Sequence, residues 1–187
     1  MGAFMEKANN PKTVTEVYRD YNSNNFELND AKVVGINLYK RKNVLEIFIE
    51  SDKKIDIMAI LGLEKYMEQR FQVKEAKVNI KYNVEKNGRT ESNKPDQVSQ
   101  TILKQWPSIV EYISYKHPIA KAFLKDSTIN IVNNKIEVTL SLNGREFLES
   151  NKFNEVFSNL IENIYGKKYT IEYTEKVLDE AVSKHRE

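Results

Sequence analysis

The residues that could do bond chemistry are few and dispersed along this chain of 187 residues. It has two histidines, His117 and His185, and no cysteine. Neither histidine stands in the HxH or HExxH spacing that brings metal ligands together. Without cysteine there is no thiolate nucleophile and no thiolate metal ligand. The six glycines are scattered singly, so no glycine-rich loop is present to bind phosphates. We therefore predict no catalytic residue, no metal ligand and no cofactor site.

The 27 acidic residues sit mainly at polar positions, where solvated carboxylates are the usual case. No pair of them stands out as an acid–base dyad, and the nucleophile motif GxSxG is missing. We expect this segment to be no enzyme by itself.

Two short basic groups are candidates for nucleic-acid contact. Lys40, Arg41 and Lys42 lie in a predicted hairpin turn, and Lys167 and Lys168 lie in a predicted helix–strand turn. Loop lysines can hold phosphates. The chain carries 29 basic against 27 acidic residues, a formal net charge of +2. This balance favours ordinary solubilising charge over a nucleic-acid site, and both interpretations stay open.

The aromatic residues could either contact a ligand or pack in the core. Tyr82, Tyr169 and Tyr173 could stack bases on an open sheet face, but their alternation with polar residues favours packing in the core. Trp106 could anchor a protein partner, as exposed tryptophans often do. It ends an apolar stripe, which favours burial instead.

The clearest element is a helix that begins near Phe153 and ends near Ile164, with apolar residues at three-and-four spacing. Ser150 or Asn151 is predicted to cap its start, and Gly166 to close its end. Period-two alternation then predicts a strand over 169–173.

The same order of elements is predicted twice. In the first unit, a short helix within 13–21 and a loop over 21–30 precede strands at 34–38 and 45–49, a helix over 57–71 and a strand over 78–82. In the second, helices starting at Val98, Pro107 and Pro118 precede strands at 129–131 and 136–142, joined by Asn133-Asn134, and then the helix and strand described above.

The predicted fold class is α+β, with two small two-layer units, each of the order helix-strand-strand-helix-strand. The predicted domains are residues 1–83, a polar linker over 84–97, a second domain over 98–175 and a charged exit helix over 176–187. No apolar run is long enough to cross a bilayer, and the first ten residues lack the features of a signal peptide. We expect a cytoplasmic protein with no membrane contact.

The second unit carries W-P-S-I-V at 106–110, followed by the hairpin, the long amphipathic helix, Gly166 and the strand. This pattern resembles the N-terminal region (domains I and II) of the PolC-type DNA polymerase III α subunit of low-GC Gram-positive bacteria. The resemblance covers nearly all of the chain and is strongest from Leu103 to Glu187.

The resemblance implies a parent chain that is a replicative DNA polymerase with 3′–5′ exonuclease activity, whose other domains lie beyond Glu187. It implies a KH-like second domain of type II-like topology, although Gly144-Arg145-Glu146-Phe147 lacks the second glycine of a GxxG clamp. It also implies that the region docks replisome subunits, such as the clamp-loader τ subunit. The alternative is a single-stranded nucleic-acid-binding module that guides template or primer.

Overall fold

The computed structural model describes residues 11–21, 23–83 and 97–176. It contains a four-stranded sheet and a three-stranded sheet, each accompanied by helices. The α+β class and the two small units predicted from the sequence are confirmed. The predicted boundaries stay predictions, and most of the predicted linker and exit helix, residues 84–96 and 177–187, lies outside the described residues.

The first unit is built on a hairpin and a parallel strand. Strands β2 and β3 are antiparallel, and helix α3 leads from β3 to β4, which pairs parallel to β3. The elements are β1 Lys12–Thr13, α1 Val14–Val17, α2 Phe26–Asp30, β2 Lys32–Tyr39, β3 Val44–Ser51, α3 Ile57–Phe71 and β4 Glu75–Tyr82.

The second unit repeats this plan after a long helix. Strands β5 and β6 are antiparallel, and helices α6 and α7 lead to β7, which pairs parallel to β6. The elements are α4 Gln97–Lys116, a 3-10 turn Pro118–Ala120, α5 Lys121–Leu124, β5 Thr128–Val132, β6 Lys135–Leu140, α6 Arg145–Ser150, α7 Phe153–Tyr165 and β7 Thr170–Glu175.

The repeat extends to the turns. Each hairpin turn contains an asparagine with positive φ, Asn43 at 53° and Asn133 at 56°, a conformation that asparagine tolerates. The carbonyl of Asn43 accepts a hydrogen bond from the Lys74 amide at 2.9 Å, and the carbonyl of Asn134 accepts one from Thr170 at 2.9 Å. In both units the hairpin turn therefore fixes the start of the parallel strand.

Three local predictions are wrong. Pro107 does not begin a helix, because α4 runs unbroken through it. An interior proline costs a helix one hydrogen bond, and the buried neighbours Trp106, Ile109 and Ile113 supply the packing that holds α4 together. The predicted loop over 21–30 contains the short helix α2, where the Asn25 side chain accepts from the Leu28 amide at 2.8 Å.

The cap of α7 also differs from the prediction. Lys152, in a left-handed conformation with φ 60°, precedes the helix and makes no side-chain cap. Ser150 and Asn151 donate instead to carbonyls of α6, Ser150 to Glu146 and Asn151 to Phe147 at 2.8 Å. Both side chains close the end of one helix rather than the start of the next, since α6 and α7 are separated by only two residues.

The cores of both units lie between sheet and helix. In the first unit the β3 residues Leu45, Ile47 and Ile49 face α3 and are buried. In the second, Phe157 and Ile161 of α7 are fully buried. None of the described helices is both long and apolar enough to cross a bilayer.

Among the described strands, β4 forms the end of the first sheet and pairs with β3 alone. A strand edge exposes backbone donors and acceptors, which proteins cover or blunt. Asn163 of α7, in the second unit, covers part of this edge. Its Nδ2 donates to the Val78 carbonyl at 2.9 Å, and its Oδ1 accepts from the Ile80 amide at 2.9 Å. One side chain thus replaces one step of a missing neighbouring strand.

Side chains of α3 and α4 bind further backbone groups of the β4 edge. Glu64 Oε1 accepts from the Val78 amide at 2.9 Å, and Glu68 Oε1 accepts from the Ala76 amide at 3.1 Å. Lys116 Nζ donates to the Ala76 carbonyl at 2.8 Å. Because Lys116 and Asn163 both belong to the second unit, the first sheet is completed by the second unit.

Replacing Asn163 with alanine should lower the free energy of unfolding by about 2 kcal/mol, because it leaves two partly buried backbone groups without partners. Urea unfolding of the full chain measures this. Asn159→Ala is the matched control, since Asn159 is exposed on the same helix. Equal stability of the two variants would contradict the role of Asn163.

Candidate functional site

A group of paired ionisable side chains lies between the two units. The carboxylate of Glu64 and the amine of Lys116 are 3.1 Å apart, with side chains 1% and 10% exposed. Glu68 Oε1 lies 2.8 Å from Lys116 Nζ. Tyr112 donates to both oxygens of Glu64, at 2.9 and 2.8 Å, and Tyr115 donates to Glu68 at 2.6 Å. We call these five residues the buried ionic cluster, in which Tyr115, 40% exposed, lies at the outer side.

Burial and pairing shift the pKa values within the cluster. Burial raises the pKa of Glu64 against the opposing effect of Lys116. Burial opposes the charge on Lys116, but the adjacent Glu64 and Glu68 carboxylates raise its pKa overall. The hydrogen bond to Glu68 raises the pKa of Tyr115 to about 12. All of these shifts have local causes within the protein.

Perturbed pKa values often mark active sites, but this cluster has a structural explanation. The oxygens of Glu64 are engaged by Lys116, Tyr112 and the Val78 amide, and the group is almost fully excluded from solvent. Nothing in this geometry leaves room for a substrate to reach the carboxylate. We interpret the cluster as the polar part of the contact between the units.

Sequence reasoning missed this cluster, although a signal was present. Glu64 stands four residues after Ile60 and three before Met67, so it lies on the apolar face of α3. A carboxylate at such a position is rarely buried without a partner. The partner, Lys116, is distant in sequence and could not be identified from spacing.

Lys40, Arg41 and Lys42 lie at the tip of the β2–β3 hairpin, and all three are exposed. No ion pair joins them to an acidic residue within the described part of the chain. The exposed Lys74 follows α3 and bonds through its amide to the turn. The hairpin end of the first unit is therefore a compact group of cations.

Lys167 and Lys168 lie on the other unit, between α7 and β7. Lys168 is exposed, and the amine of Lys167 lies 5.1 Å from the centroid of the Tyr169 ring. The two predicted basic groups thus lie on different units, and the sequence-predicted residues do not assemble into one site.

Trp106 belongs to the core of the second unit. Its side chain is 4% exposed, its ring stacks on Phe157 with centroids 5.3 Å apart, and its Nε1 donates to Ser127 Oγ at 3.1 Å. The suggestion that Trp106 anchors a partner is corrected here, because the indole is already used to pack α4 on α7.

The tyrosines also face inward, as the alternation predicted. Tyr169 and Tyr173 are 1% and 2% exposed. Tyr82 is half-buried, and its hydroxyl accepts from the Ile55 amide at 3.3 Å. Base stacking on a sheet needs exposed aromatic rings, and these three rings do not provide such a platform.

The turn at Gly144 is occupied by a carboxylate of the protein itself. The amides of Gly144 and Arg145 donate to Glu175 Oε1 at 2.8 and 3.0 Å, and these hydrogen bonds lower the pKa of Glu175. A Cβ on Gly144 would lie 2.3 Å from Phe123 Cδ1, so the close packing requires glycine. The donors that could bind a phosphate here already have an anionic partner.

Within the part of the chain that the structure describes, no group of three or more His, Asp or Glu side chains is placed to hold a metal ion. Shallow depressions occur at the surface. The one beside α6 is lined by residues of the Gly144 turn and by Phe123 and Glu175. These are the groups already engaged with one another in that turn.

Comparison with protein families finds two matches. Residues 15–82 match DNA polymerase III polC-type N-terminus I, and residues 104–187 match DNA polymerase III polC-type N-terminus II. The first range contains most of the four-stranded sheet, and the second contains the three-stranded sheet. A search of curated proteins finds no match.

Replacing Lys116 with methionine should lower the free energy of unfolding by about 3 kcal/mol or more, because a buried carboxylate would lose its counter-ion. Denaturant unfolding followed by the fluorescence of the single tryptophan measures the loss. Lys104→Met on the exposed side of the same helix is the control, expected to change stability by less than about 0.5 kcal/mol. A similar small change for both would show that the cluster contributes little.

Proposed function

The chain belongs to the family of PolC-type DNA polymerase III N-terminal domains, and from this we propose a non-catalytic protein-interaction region that docks replisome subunits. The clamp-loader τ subunit is the first candidate partner. DNA replication is the setting in which this docking takes place. The proposal requires no bound cofactor or metal.

The observation that carries the proposal is the occupied turn at Gly144. Glu175 satisfies the amides of Gly144 and Arg145 from within the protein. A phosphate would have to displace a carboxylate that is held by two hydrogen bonds and that would repel it. This argues against a clamp on a nucleic-acid backbone in the second unit, and it favours contact with proteins.

The rest of the proposal follows from the family. The second unit would be a KH-like domain whose clamp has been lost, and the parent chain would be a cytoplasmic DNA polymerase with 3′–5′ exonuclease activity. Its downstream polymerase domains would be neighbours of this region in the same chain. The extensive contact between the two units supports a region that presents one rigid surface to its partners.

Calorimetric titration of the full chain with the C-terminal part of τ tests the docking. We expect saturable binding of one τ fragment to one chain, because the two units are joined in one body and would present a single docking surface. Absence of heat at high micromolar concentrations of both proteins would contradict τ as the partner.

A second function, binding of single-stranded nucleic acid that guides template or primer, has one observation in its favour. Lys40, Arg41 and Lys42 are exposed and form no ion pairs with described residues. Exposed cations of this kind can neutralise phosphates and release counter-ions.

This alternative predicts affinity for single-stranded DNA that falls steeply with salt. Lys40→Ala with Arg41→Ala should reduce the slope of log K against log salt by about 0.7 for each phosphate that the variant no longer neutralises. Lys167→Ala with Lys168→Ala is the parallel test on the second unit. Affinity that is unchanged in both double variants would exclude these lysines from DNA binding.

A further inference from the structure

Within residues 11–21, 23–83 and 97–176, little of the outer edge of β2 is paired with another strand. Strand β1 pairs only with Lys32 and Val33 of β2, so among the described residues no strand pairs with the outer side of β2 over 34–39. At the opposite edge of the same sheet, β4 is covered by side chains of three helices. Among the described residues, one edge of the first sheet is therefore covered, and the backbone groups of β2 over 34–39 meet no partner strand on the other.

Apolar side chains line the open end of this edge. Ile36 and Leu38 pair with the buried Ile47 and Leu45, so they stand on the α3 face of the sheet. They are nevertheless 41% and 51% exposed. Phe71, the last residue of α3 at the same end, is 47% exposed. At this end of the first unit, the described residues thus leave apolar side chains of the core face partly exposed.

Cations border this apolar surface. Lys40, Arg41 and Lys42 follow β2 directly, and the backbone amide of Lys74 donates a hydrogen bond to the Asn43 carbonyl in the turn. The hairpin turn and the segment 72–74 contain no acidic residue. A ligand on the edge of β2 would therefore meet positive charge at the end of the strand.

We propose that the β2 edge, with the exposed Ile36 and Leu38 on its face and the basic hairpin at its end, is a docking site for an extended acidic segment of a partner protein. Such a segment adds a strand to an open edge through backbone hydrogen bonds. Its apolar side chains would cover the exposed face, and its carboxylates would lie next to Lys40, Arg41 and Lys42. The inference rests on the proposed docking function and specifies its site.

Charge selects this partner over two others. A second copy of the chain paired edge to edge would bring no carboxylate to the basic hairpin, because β2 contains no acidic residue. A nucleic acid would use the cations but leave Ile36 and Leu38 uncovered, because aliphatic side chains offer no stacking surface. An acidic, amphipathic strand would do all three: pair with the backbone of β2, cover its exposed apolar side chains and neutralise the basic hairpin.

The test uses the full chain with two probes. The first is the C-terminal part of τ, and the second is a synthetic peptide of about six residues, a typical strand length, that alternates leucine with glutamate. Backbone amide exchange is followed by NMR. We expect slower exchange and shifted signals over residues 34–39 with the glutamate peptide, and no change with a peptide that has lysine in place of glutamate.

Leu38→Glu should weaken the binding of both probes, the C-terminal part of τ and the glutamate peptide, at least about 10-fold. The change places a negative charge against an acidic ligand and removes apolar surface that the ligand would cover. Val132→Glu is the matched control, since Val132 lies at the end of β5 and Leu38 one residue before the end of β2, each near a hairpin turn, and both are 51% exposed. Arg41→Glu, at the exposed tip, is a second variant that changes the charge without touching the sheet.

The outcomes separate this inference from the proposed function. Binding of τ that is unchanged by Leu38→Glu and Arg41→Glu would overturn the site and leave τ docking in place. Protection of residues 34–39 by the glutamate peptide without any τ binding would support the site and overturn τ as the partner. Protection of the same residues by single-stranded DNA alone, with no effect of the glutamate peptide, would overturn the inference.

Discussion

The constraint on which the structure depends is the free edge of β4. A short sheet that ends in a parallel strand leaves alternate backbone amides and carbonyls without partners, and burying them unpaired costs about 1–3 kcal/mol each. Here the amides of Ala76, Val78 and Ile80 are all taken up by side chains. Two of those side chains come from α3, and the third, Asn163, comes from the second unit.

This arrangement explains why ionisable groups are buried between the units. Glu64 can accept from a β4 amide only if it enters the interior, and its charge there needs a counter-ion. Lys116 supplies it and also donates to the Ala76 carbonyl. Gln105 of α4 adds a further link between the units. Its side chain donates to Asp56, at the start of α3, at 3.1 Å, and accepts from Tyr165 of α7 at 2.6 Å. The two repeated units therefore form one body in which the second completes the first.

The sequence predicted what depends on local pattern and missed what depends on distant pairs. Alternation and helical spacing were sufficient to predict the repeated order of helices and strands, the burial of Tyr169 and Tyr173, and the turn at Asn133. The rule that proline begins a helix failed at Pro107, because the packing of its buried neighbours stabilises α4 by more than the one missing hydrogen bond costs. The buried ionic cluster and the role of Asn163 join residues far apart in the chain, and no spacing rule reveals such partners. The same limit applies to Leu38. The alternation of β2 places its side chain on the face that packs against α3, but it does not reveal that α3 ends before covering it.

Native-state hydrogen exchange of the full chain tests the central claim that the β4 edge makes the two units one cooperative body. If it does, the most protected amides of the β2–β3 hairpin and of β6–β7 will exchange through the same global unfolding, with equal free energy and equal dependence on denaturant. Exchange of the first-unit amides through an opening of lower free energy, while β6–β7 stays protected, would show that the first unit unfolds alone and would contradict the account.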